Sequence, residues 1–261
     1  MVTEATASTG QVAVYIDFDN IVISRYDELH GRGAFRDDKA HSRNPSTVVQ
    51  RRLREARIDL DAVINFASSF GNVAISRAYA NWASALHASY ADQTLRRSID
   101  LVQLFPVTGT KNGADIRLAI DVIDDLSRYP GISHVVVVAG DSDYVSLAQR
   151  CKRLGRRVIG IGAARSAGRY WQHACDEFRF YGNVPGVAAP DEEPVHPPME
   201  QPAPVAEPDA QTLLVQAAQL LALRTEGDWL TASALKSQMI RLEPTFSEST
   251  LGFTNFSSFL R

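Results

Sequence analysis

The 261-residue chain has 45% hydrophobic and 22% charged residues, the composition of a globular protein. This length suffices for one well-buried core and a second small module. The longest dense apolar run, "HVVVVAG" at 134–140, is far too short for a membrane span, and residues 1–10 have no signal-peptide pattern. We therefore expect a cytoplasmic protein with no membrane partner and a disordered segment over residues 1–10. Cys151 and Cys175 match no metal or redox spacing, which predicts reduced thiols.

Five short runs rich in β-branched residues precede a change in composition near residue 185. The run from Val135 to Val138 lacks polar alternation, as expected of a parallel strand covered on both faces. Amphipathic segments separate the runs, so the pattern predicts an α/β domain with a parallel sheet between helices. The predicted strands are 11–17, 73–80, 100–107, 133–140 and 156–162.

Helical periodicity is visible over roughly 58–70, 114–128 and 143–153, and Gly155 follows the last of these. Residues 24–45 are polar and rich in Asp, Arg, His and Gly, so we expect a mobile surface insertion there. One face of the 114–128 helix is predicted to enter the core through Ile116, Ala119, Ile120, Ile123 and Leu126.

The first and fourth predicted strands each run into acidic residues. Asp17 and Asp19 follow the first strand, Asp141 and Asp143 follow the fourth, and Asp115 begins a helix after a Gly-containing loop. These positions fall at the carboxyl edge of the sheet, where α/β proteins bind ligands. Several carboxylates in one cleft repel each other, and a hard divalent cation such as Mg²⁺ or Mn²⁺ relieves that repulsion. Such ions activate water and stabilise the oxyanions of a phosphodiester under attack.

Each acid also has a purely structural interpretation. Asp143 can cap its helix, and Asp115 can favour a helix start through the helix dipole. Asp19 can point away from the cleft. For a single acid the structural interpretation is the better one, whereas Asp17, Asp115 and Asp141 together favour a metal-binding cleft.

Four segments occur in the order "YIDFDNI", "TKNGADIRLAIDVI", "VVAGDSDYVSLAQRCKRLGRRVIGIG" and "ACDEFRFY". This order resembles the NYN domain, a member of the PIN-like group of metal-dependent ribonucleases. The resemblance covers roughly residues 11–182, and the GDSDY element is its most specific part. It implies a sheet in which the first and fourth strands are neighbours, which places Asp17 beside Asp141.

The same resemblance implies a catalytic metal site for Mg²⁺ or Mn²⁺. Its ligands would be Asp17, Asp115, Asp141 and Asp143, with Asn20 nearby to orient a ligand or a water molecule. Water would be the nucleophile.

Two features depart from the family pattern. The family often has Lys before the Gly of the third-strand loop, whereas this chain has Asn112 there and Lys111 one place earlier. The insertion at 24–45 is also longer than expected. Neither removes an acid. Lys111 is a candidate for contacting the scissile phosphate, while Asp121 is expected to have a supporting or solvated role and Asp176 to fix a local turn.

Two basic clusters are candidates for holding the RNA backbone. A cationic helix face is more often simply solvated, and that alternative stays open. The candidate arginines are Arg51, Arg54, Arg153 and Arg156. Four aromatic residues could stack on unpaired bases or pack in the core: Tyr79, Trp82, Tyr170 and Trp171.

A phosphatase of the haloacid dehalogenase type is a competing interpretation, because "DFDNI" resembles that family's DxDx(T/V) motif. Asp17 would then be the nucleophile and Asp19 the acid/base, with Asp141 helping to bind Mg²⁺. Ile21 replaces the expected Thr or Val, a convincing motif lysine is lacking and Asp115 would have no role. The nuclease interpretation is therefore preferred.

Residues 185–210 contain eight of the 12 prolines and six acidic residues with no Lys or Arg, which predicts an extended linker. The segment 11–184 before it is the predicted nuclease domain. Residues 211–261 predict three short helices and resemble the LOTUS (OST-HTH) domain, a module tied to RNA and ribonucleoprotein partners, most clearly in "LGFTNFSSFL". Wing strands would follow that stretch, so we expect only part of the module here.

Together these features predict a metal-dependent ribonuclease, acting internally on single-stranded or structured RNA, with a C-terminal module for RNA or a protein partner. A homodimer would widen an RNA groove and is also considered. A non-catalytic RNA-binding or regulatory protein that keeps the acids is the alternative from a different functional class.

Overall fold

The computed structural model describes residues 10–105, 113–163, 167–187, 210–222 and 229–261, which form two compact units divided between residues 187 and 188. Lys111, most of the predicted linker and nearly all of the predicted disordered N-terminus lie outside these ranges. Within them, no helix is both long enough and apolar enough to cross a bilayer.

The first unit is built on a six-stranded parallel sheet with the order β3-β2-β1-β4-β5-β6. The chain adds strands on one side of β1 and then crosses to β4 on its other side, so the topology switches between β1 and β4. The strands are β1 (Gln11–Asp17), β2 (Asn72–Ala80), β3 (Asp100–Gln103), β4 (Ile132–Val138), β5 (Arg157–Gly162) and β6 (Glu177–Phe180).

Helices cover both faces of this sheet. Successive side chains of each strand point to opposite sides, and apolar side chains on both sides pack against helices. Val14 and Ile16 of β1 pack in one core, whereas Ala13 and Tyr15 pack in the other. The helices of this unit are α1 (Phe18–His30), α2 (Ala34–Asp37), α3 (Thr47–Glu55), α4 (Leu60–Ser68), α5 (Ala85–Ala88), α6 (Ala91–Arg96), α7 (Gly113–Arg128), α8 (Val145–Arg153) and α9 (Arg169–Ala174). Two 3-10 turns are Ser142–Tyr144 and Tyr181–Asn183.

The five predicted strands are present as β1 to β5, and the predicted adjacency of the first and fourth strands is confirmed. The predicted set omitted β6, which pairs with β5. This strand has only four residues, too few for alternation to stand out in the sequence. Gly155 has a φ of 75°, a left-handed conformation that suits glycine just after α8.

The expectation of a mobile insertion over 24–45 is wrong for much of that segment. Helix α1 continues to His30, and Tyr26 is fully buried. The Asp27 carboxylate accepts hydrogen bonds from the backbone N–H groups of Gly33 and Phe35, each 2.8 Å long. The polar residues that suggested mobility therefore fix the turn between α1 and α2.

The predicted α7 helix is present, but part of its predicted buried face is wrong. Leu118, Val122 and Leu126 line the core, whereas Ile116 and Ile120 are 59% and 56% exposed. Leucine and valine at i, i+4 and i+8 form an equally regular apolar row, and this row is the one that meets the sheet.

The second unit consists of short helices around a small core, in agreement with the three predicted helices. They are α10 (Ala210–Ala222), α11 (Ala232–Leu242) and α12 (Phe256–Phe259), with a 3-10 turn at Glu248–Leu251. The buried residues are Leu213, Ala217, Met239, Phe246 and Phe256.

Candidate acidic metal site

Asp17 ends β1 and begins α1. Its Oδ1 accepts a hydrogen bond from the backbone N–H of Asn20 at 3.1 Å, so the carboxylate caps the helix. The residue is only 3% exposed. The acid at the end of this apolar strand therefore has a structural role as a helix cap. Its burial is unusual for a carboxylate.

Three other carboxylates converge at the same edge of the sheet. Asp141 follows β4 and accepts a hydrogen bond from the backbone N–H of Asp143 at 3.3 Å, while Asp115 lies in the first turn of α7. One carboxylate oxygen from each of these three residues lies within 4.8 Å of the others. Asp17 is not part of this group of three. Among the described residues, this is the group of side chains found that could hold a metal ion. We call Asp115, Asp141 and Asp143 the acidic trio.

Tyr144 connects Asp17 to the acidic trio, a link that the sequence did not reveal. Its hydroxyl lies 2.8 Å from Asp17 Oδ2 and 3.0 Å from Asp115 Oδ1, and its ring is buried. A phenol has one hydrogen, so it donates to one carboxylate at a time. Tyr144 is the last residue of the GDSDY element, but the sequence does not show that its hydroxyl reaches Asp17 and Asp115, because a buried aromatic residue usually serves packing alone.

Burial and neighbouring negative charge each raise the pKa of one carboxyl group at the site. Burial raises the pKa of Asp17 to about 7, against the opposing effect of its hydrogen bonds from Tyr144 and the Asn20 backbone. The neighbouring charge of Asp141 raises the pKa of the exposed Asp143 carboxyl above its usual value. A cation at this edge would relieve both effects.

Asn20 joins the two strand ends that meet at the switch point. Its side-chain oxygen accepts a hydrogen bond from the backbone N–H of Gly140 at 2.9 Å. Gly140 directly precedes Asp141, so this bond fixes the loop that carries the trio's second member. The Asn20 amide therefore holds the two strand ends together. A role for Asn20 in orienting a ligand stays a prediction.

The other acids considered from the sequence lie elsewhere. Asp19 Oδ1 lies 3.0 Å from His87 Nε2, outside the acidic trio. Asp121 accepts hydrogen bonds from Tyr79 and Arg117. Asp176 accepts a hydrogen bond from the Val158 backbone N–H at 2.8 Å, in keeping with the expected structural role in a turn. 

Two of the four predicted RNA-backbone arginines lie away from the acids. Arg153 ends α8 and Arg156 directly precedes β5, so both lie toward the amino edge of the sheet, opposite the acidic trio. On α3, Arg51 pairs with Glu55 at 3.5 Å and Arg54 is exposed. Their contact with RNA stays a prediction, as does that of Lys111.

The four candidate stacking residues divide clearly by exposure. Tyr79 and Trp171 are fully buried, and Trp82 is half-buried with its indole N–H donating to the Val102 carbonyl at 3.1 Å. Tyr170 is 79% exposed. Core packing therefore accounts for two of the four, and Tyr170 alone among them presents its ring to solvent.

Comparison with known families agrees with this arrangement. The sequence matches the NYN domain over residues 11–182, which is most of the chain. This protein belongs to the NYN domain family. Residues 209–261 match the OST-HTH/LOTUS domain. The NYN domain is PIN-like, so the first unit has the fold of a nuclease group, and the OST-HTH/LOTUS match suggests RNA binding.

Individual relatives are more distant. An uncharacterized protein of Methanocaldococcus jannaschii is 30% identical over 110 residues, covering 42% of this chain and 42% of the relative. The match thus spans less than half of the relative's length. A crystal structure of a protein of unknown function from Vibrio parahaemolyticus is 18% identical, with a TM-score of 0.48, covering 67% of this chain and 94% of the other.

Proposed function

We propose that this NYN domain is a Mg²⁺- or Mn²⁺-dependent ribonuclease that cuts RNA internally. The observation that carries the proposal is the acidic trio, whose carboxylate oxygens lie within 4.8 Å of one another at the switch point of a PIN-like sheet. Ligands of open α/β sheets bind at such points.

The residues present fit a hard divalent cation. The trio offers oxygen donors only, and oxygen donors favour Mg²⁺ and Mn²⁺ over softer metals. Asp115, Asp141 and Asp143 would hold the ion, with Asp17 beside them through Tyr144. When bound, such an ion supplies a water activated for attack and stabilises negative charge on the phosphate.

The chain's own contribution is to hold these carboxylates in place before any ligand arrives. Tyr144 fixes the orientation of Asp17 or Asp115 by donating its hydrogen, and Asn20 holds the loop before Asp141. Preorganised groups of this kind avoid the cost of ordering during the reaction. The phosphatase alternative is less well supported, because Asp19, its acid/base, pairs with His87.

The second unit would supply a further binding site for RNA or for a protein partner. We propose that the OST-HTH/LOTUS module binds RNA or a protein partner, which would bring substrate to the NYN domain. Cytoplasmic location and homodimerisation stay predictions from the sequence.

The test is cleavage of end-labelled single-stranded RNA with Mg²⁺, with Mn²⁺, or with chelator. Asp17→Asn and Asp141→Asn are the test variants, because asparagine keeps the capping oxygen that each backbone N–H needs. Asp124→Asn is the matched control, since Asp124 is an exposed acid on α7 that pairs with Arg128 at 3.5 Å. We expect metal-dependent products of intermediate length, reduced by at least about 100-fold in the two test variants and unchanged in the control.

Two results would contradict the proposal. RNA that is bound but left intact with either metal would support the non-catalytic RNA-binding alternative. Cleavage that persists in Asp17→Asn and Asp141→Asn would place the activity outside the acidic site or in a contaminating enzyme.

A further inference from the structure

Helix α9 presents three polar or aromatic side chains to solvent on one face. Arg169, Tyr170 and His173 are exposed, and within the described structure none of their side chains has a hydrogen bond, ion pair or ring contact. At 100° per residue these positions share about one third of the helix circumference. Trp171, about 100° beyond Tyr170 on the helix, is fully buried.

This helix lies against the loop that carries two members of the acidic trio. The backbone N–H of Gly168 donates to the Gly140 carbonyl at 3.1 Å, one residue before Asp141. A Cβ at position 168 would come within 1.9 Å of Ser142 Oγ, so the chain approaches this closely because residue 168 is glycine. The start of α9 is thus in direct contact with the Asp141–Asp143 loop.

The buried side of α9 is fixed to the same strand end. The Trp171 indole N–H donates to the Ala139 carbonyl at 2.9 Å, and its ring centroid lies 5.9 Å from that of Tyr144. Tyr144 in turn contacts Asp17 and Asp115. The position of Tyr170 relative to the acids is therefore set in advance, which lowers the entropic cost of using it as a contact.

The chemistry of this face suits a single-stranded nucleic acid. A tyrosine ring that is 79% exposed offers a flat surface on which any unpaired base can stack. Arg169, the preceding residue, has no ion pair within the described ranges, so its guanidinium can bind a phosphate and offset the repulsion between the RNA backbone and the acidic trio. Protein interfaces also use Tyr and Arg, but their centres are apolar, whereas the neighbours of Tyr170 on this face are Arg169 and His173.

We propose that Tyr170 stacks on an unpaired base of the RNA substrate and that Arg169 binds an adjacent phosphate. The pair forms a positioning subsite on the β5 side of the acidic trio and favours single-stranded RNA. This inference rests on the proposed function, since the subsite matters because the trio cuts RNA. Tyr170 is a positioning residue for that reaction and takes no part in bond breaking.

The test measures binding and cleavage separately with the full chain. Binding is measured in chelator, with single-stranded RNA oligonucleotides that carry 2-aminopurine at successive positions, and RNA integrity is checked on a gel. We compare wild type with Tyr170→Ala, Tyr170→Phe and Arg169→Ala. The matched control is Tyr129→Ala, because Tyr129 is also exposed but lies just before β4, at the opposite edge of the sheet.

Stacking predicts quenching of 2-aminopurine fluorescence at one or two positions in wild type and in Tyr170→Phe. Tyr170→Ala should lose that quenching and weaken binding by about 5- to 150-fold, as expected for the loss of one base–aromatic stack. In the cleavage assay the same variant should raise KM and leave kcat within about twofold. Tyr129→Ala should match wild type in both assays.

Unchanged affinity and unchanged quenching in Tyr170→Ala would overturn the subsite. A similar loss in Tyr170→Phe would also overturn it, because the ring is retained in that variant. These results are distinct from failure of the proposed function, in which wild type binds RNA and leaves it intact with either metal. The binding arm is informative in that case too, because it requires no turnover.

Discussion

At the scale of single residues, Asp17 and Asp19 are two positions apart but have different surroundings. Asp17 is buried beside Tyr144, whereas Asp19 lies 3.0 Å from His87 Nε2. The second ring nitrogen of His87 lies 3.0 Å from the Asn81 carbonyl oxygen. Both nitrogens face oxygen acceptors, so both hydrogen bonds form only when the imidazole carries two hydrogens.

Protonation of His87 leads to a pH-dependent prediction. Burial acts to lower its pKa, but the hydrogen bonds to Asp19 and to the Asn81 carbonyl, together with the charge of Asp19, outweigh burial and place the pKa above the usual value. Because the folded pKa exceeds the unfolded one of about 6.5, the stabilisation is complete below about pH 6.5 and is lost as pH rises through the folded pKa. Asp19→Asn should therefore lower the free energy of unfolding by about 1 kcal/mol at pH 6 and by less at pH 9.

Urea denaturation at both pH values measures this difference. Asp124→Asn, which alters an exposed acid away from histidine, should show a difference from wild type that does not change with pH. A cost of Asp19→Asn that grows between pH 6 and pH 9 would contradict the assigned ion pair.

Tyr144 supports a second prediction at the same scale. Tyr144→Phe removes the hydroxyl that lies 2.8 Å from the buried Asp17 carboxylate, leaving that group with fewer donors. An unsatisfied buried polar group costs about 1–3 kcal/mol, so the free energy of unfolding should fall by this amount. Tyr129→Phe is the control, because Tyr129 is 49% exposed and its side chain has no hydrogen bond among the described residues. Equal stability of the two variants in urea would show that the Tyr144 hydroxyl does not stabilise the site.

The sequence predicted which acids end strands but could not predict where their side chains point. Asp115, Asp141 and Asp143 were expected at one edge, and the structure brings them together. Asp17 lies outside that trio, and its carboxylate accepts a hydrogen bond from Tyr144, 127 residues away in the chain. No local pattern encodes a contact of that range.

At the scale of elements, the sheet was more predictable than the segments around it. The buried runs of β1 and β4 have few polar residues, so their strand character is plain. The turn after α1 was wrongly expected to be mobile. The hydrogen bonds that Asp27 accepts from the Gly33 and Phe35 backbones form only in the folded conformation, so the sequence alone does not show them. Polar residues in a sequence do not show whether their partners are water or backbone.

The contact between β5 and β6 leads to a prediction about β6, the strand that was not predicted from the sequence. A Cβ at Gly160 would lie 2.6 Å from a ring carbon of Phe178 and 2.7 Å from Cys175 Sγ. Gly160→Ala should overpack this contact and cost about 1–3 kcal/mol of stability. In Gly113→Ala an added Cβ would meet no atom of the described residues within 4 Å apart from its chain neighbours and its own helix backbone, so the change should be close to neutral. Chemical denaturation measures the stability of both variants. Equal stability would show that β6 can move away from an added methyl group at position 160 at little cost in free energy.

At the scale of the whole molecule, each hydrophobic core is made by residues of a single unit. The two cores of the first unit lie on either side of the sheet and include fully buried residues such as Val136. The core of the second unit is much smaller, and small domains bury a lower fraction of their surface. The second unit should therefore unfold at a lower temperature than the first.

Phe246→Ala tests this independence. The Phe246 ring lies 6.1 Å from that of Phe256 and 5.6 Å from that of Phe259, so its removal should cost the second unit about 3–5 kcal/mol. In calorimetry the lower transition should shift down or vanish, while the upper one should keep its Tm. Val136→Ala, in the first unit, should do the reverse. If both variants shift one common transition, the two units unfold cooperatively, and the module at 209–261 would then stabilise the NYN domain.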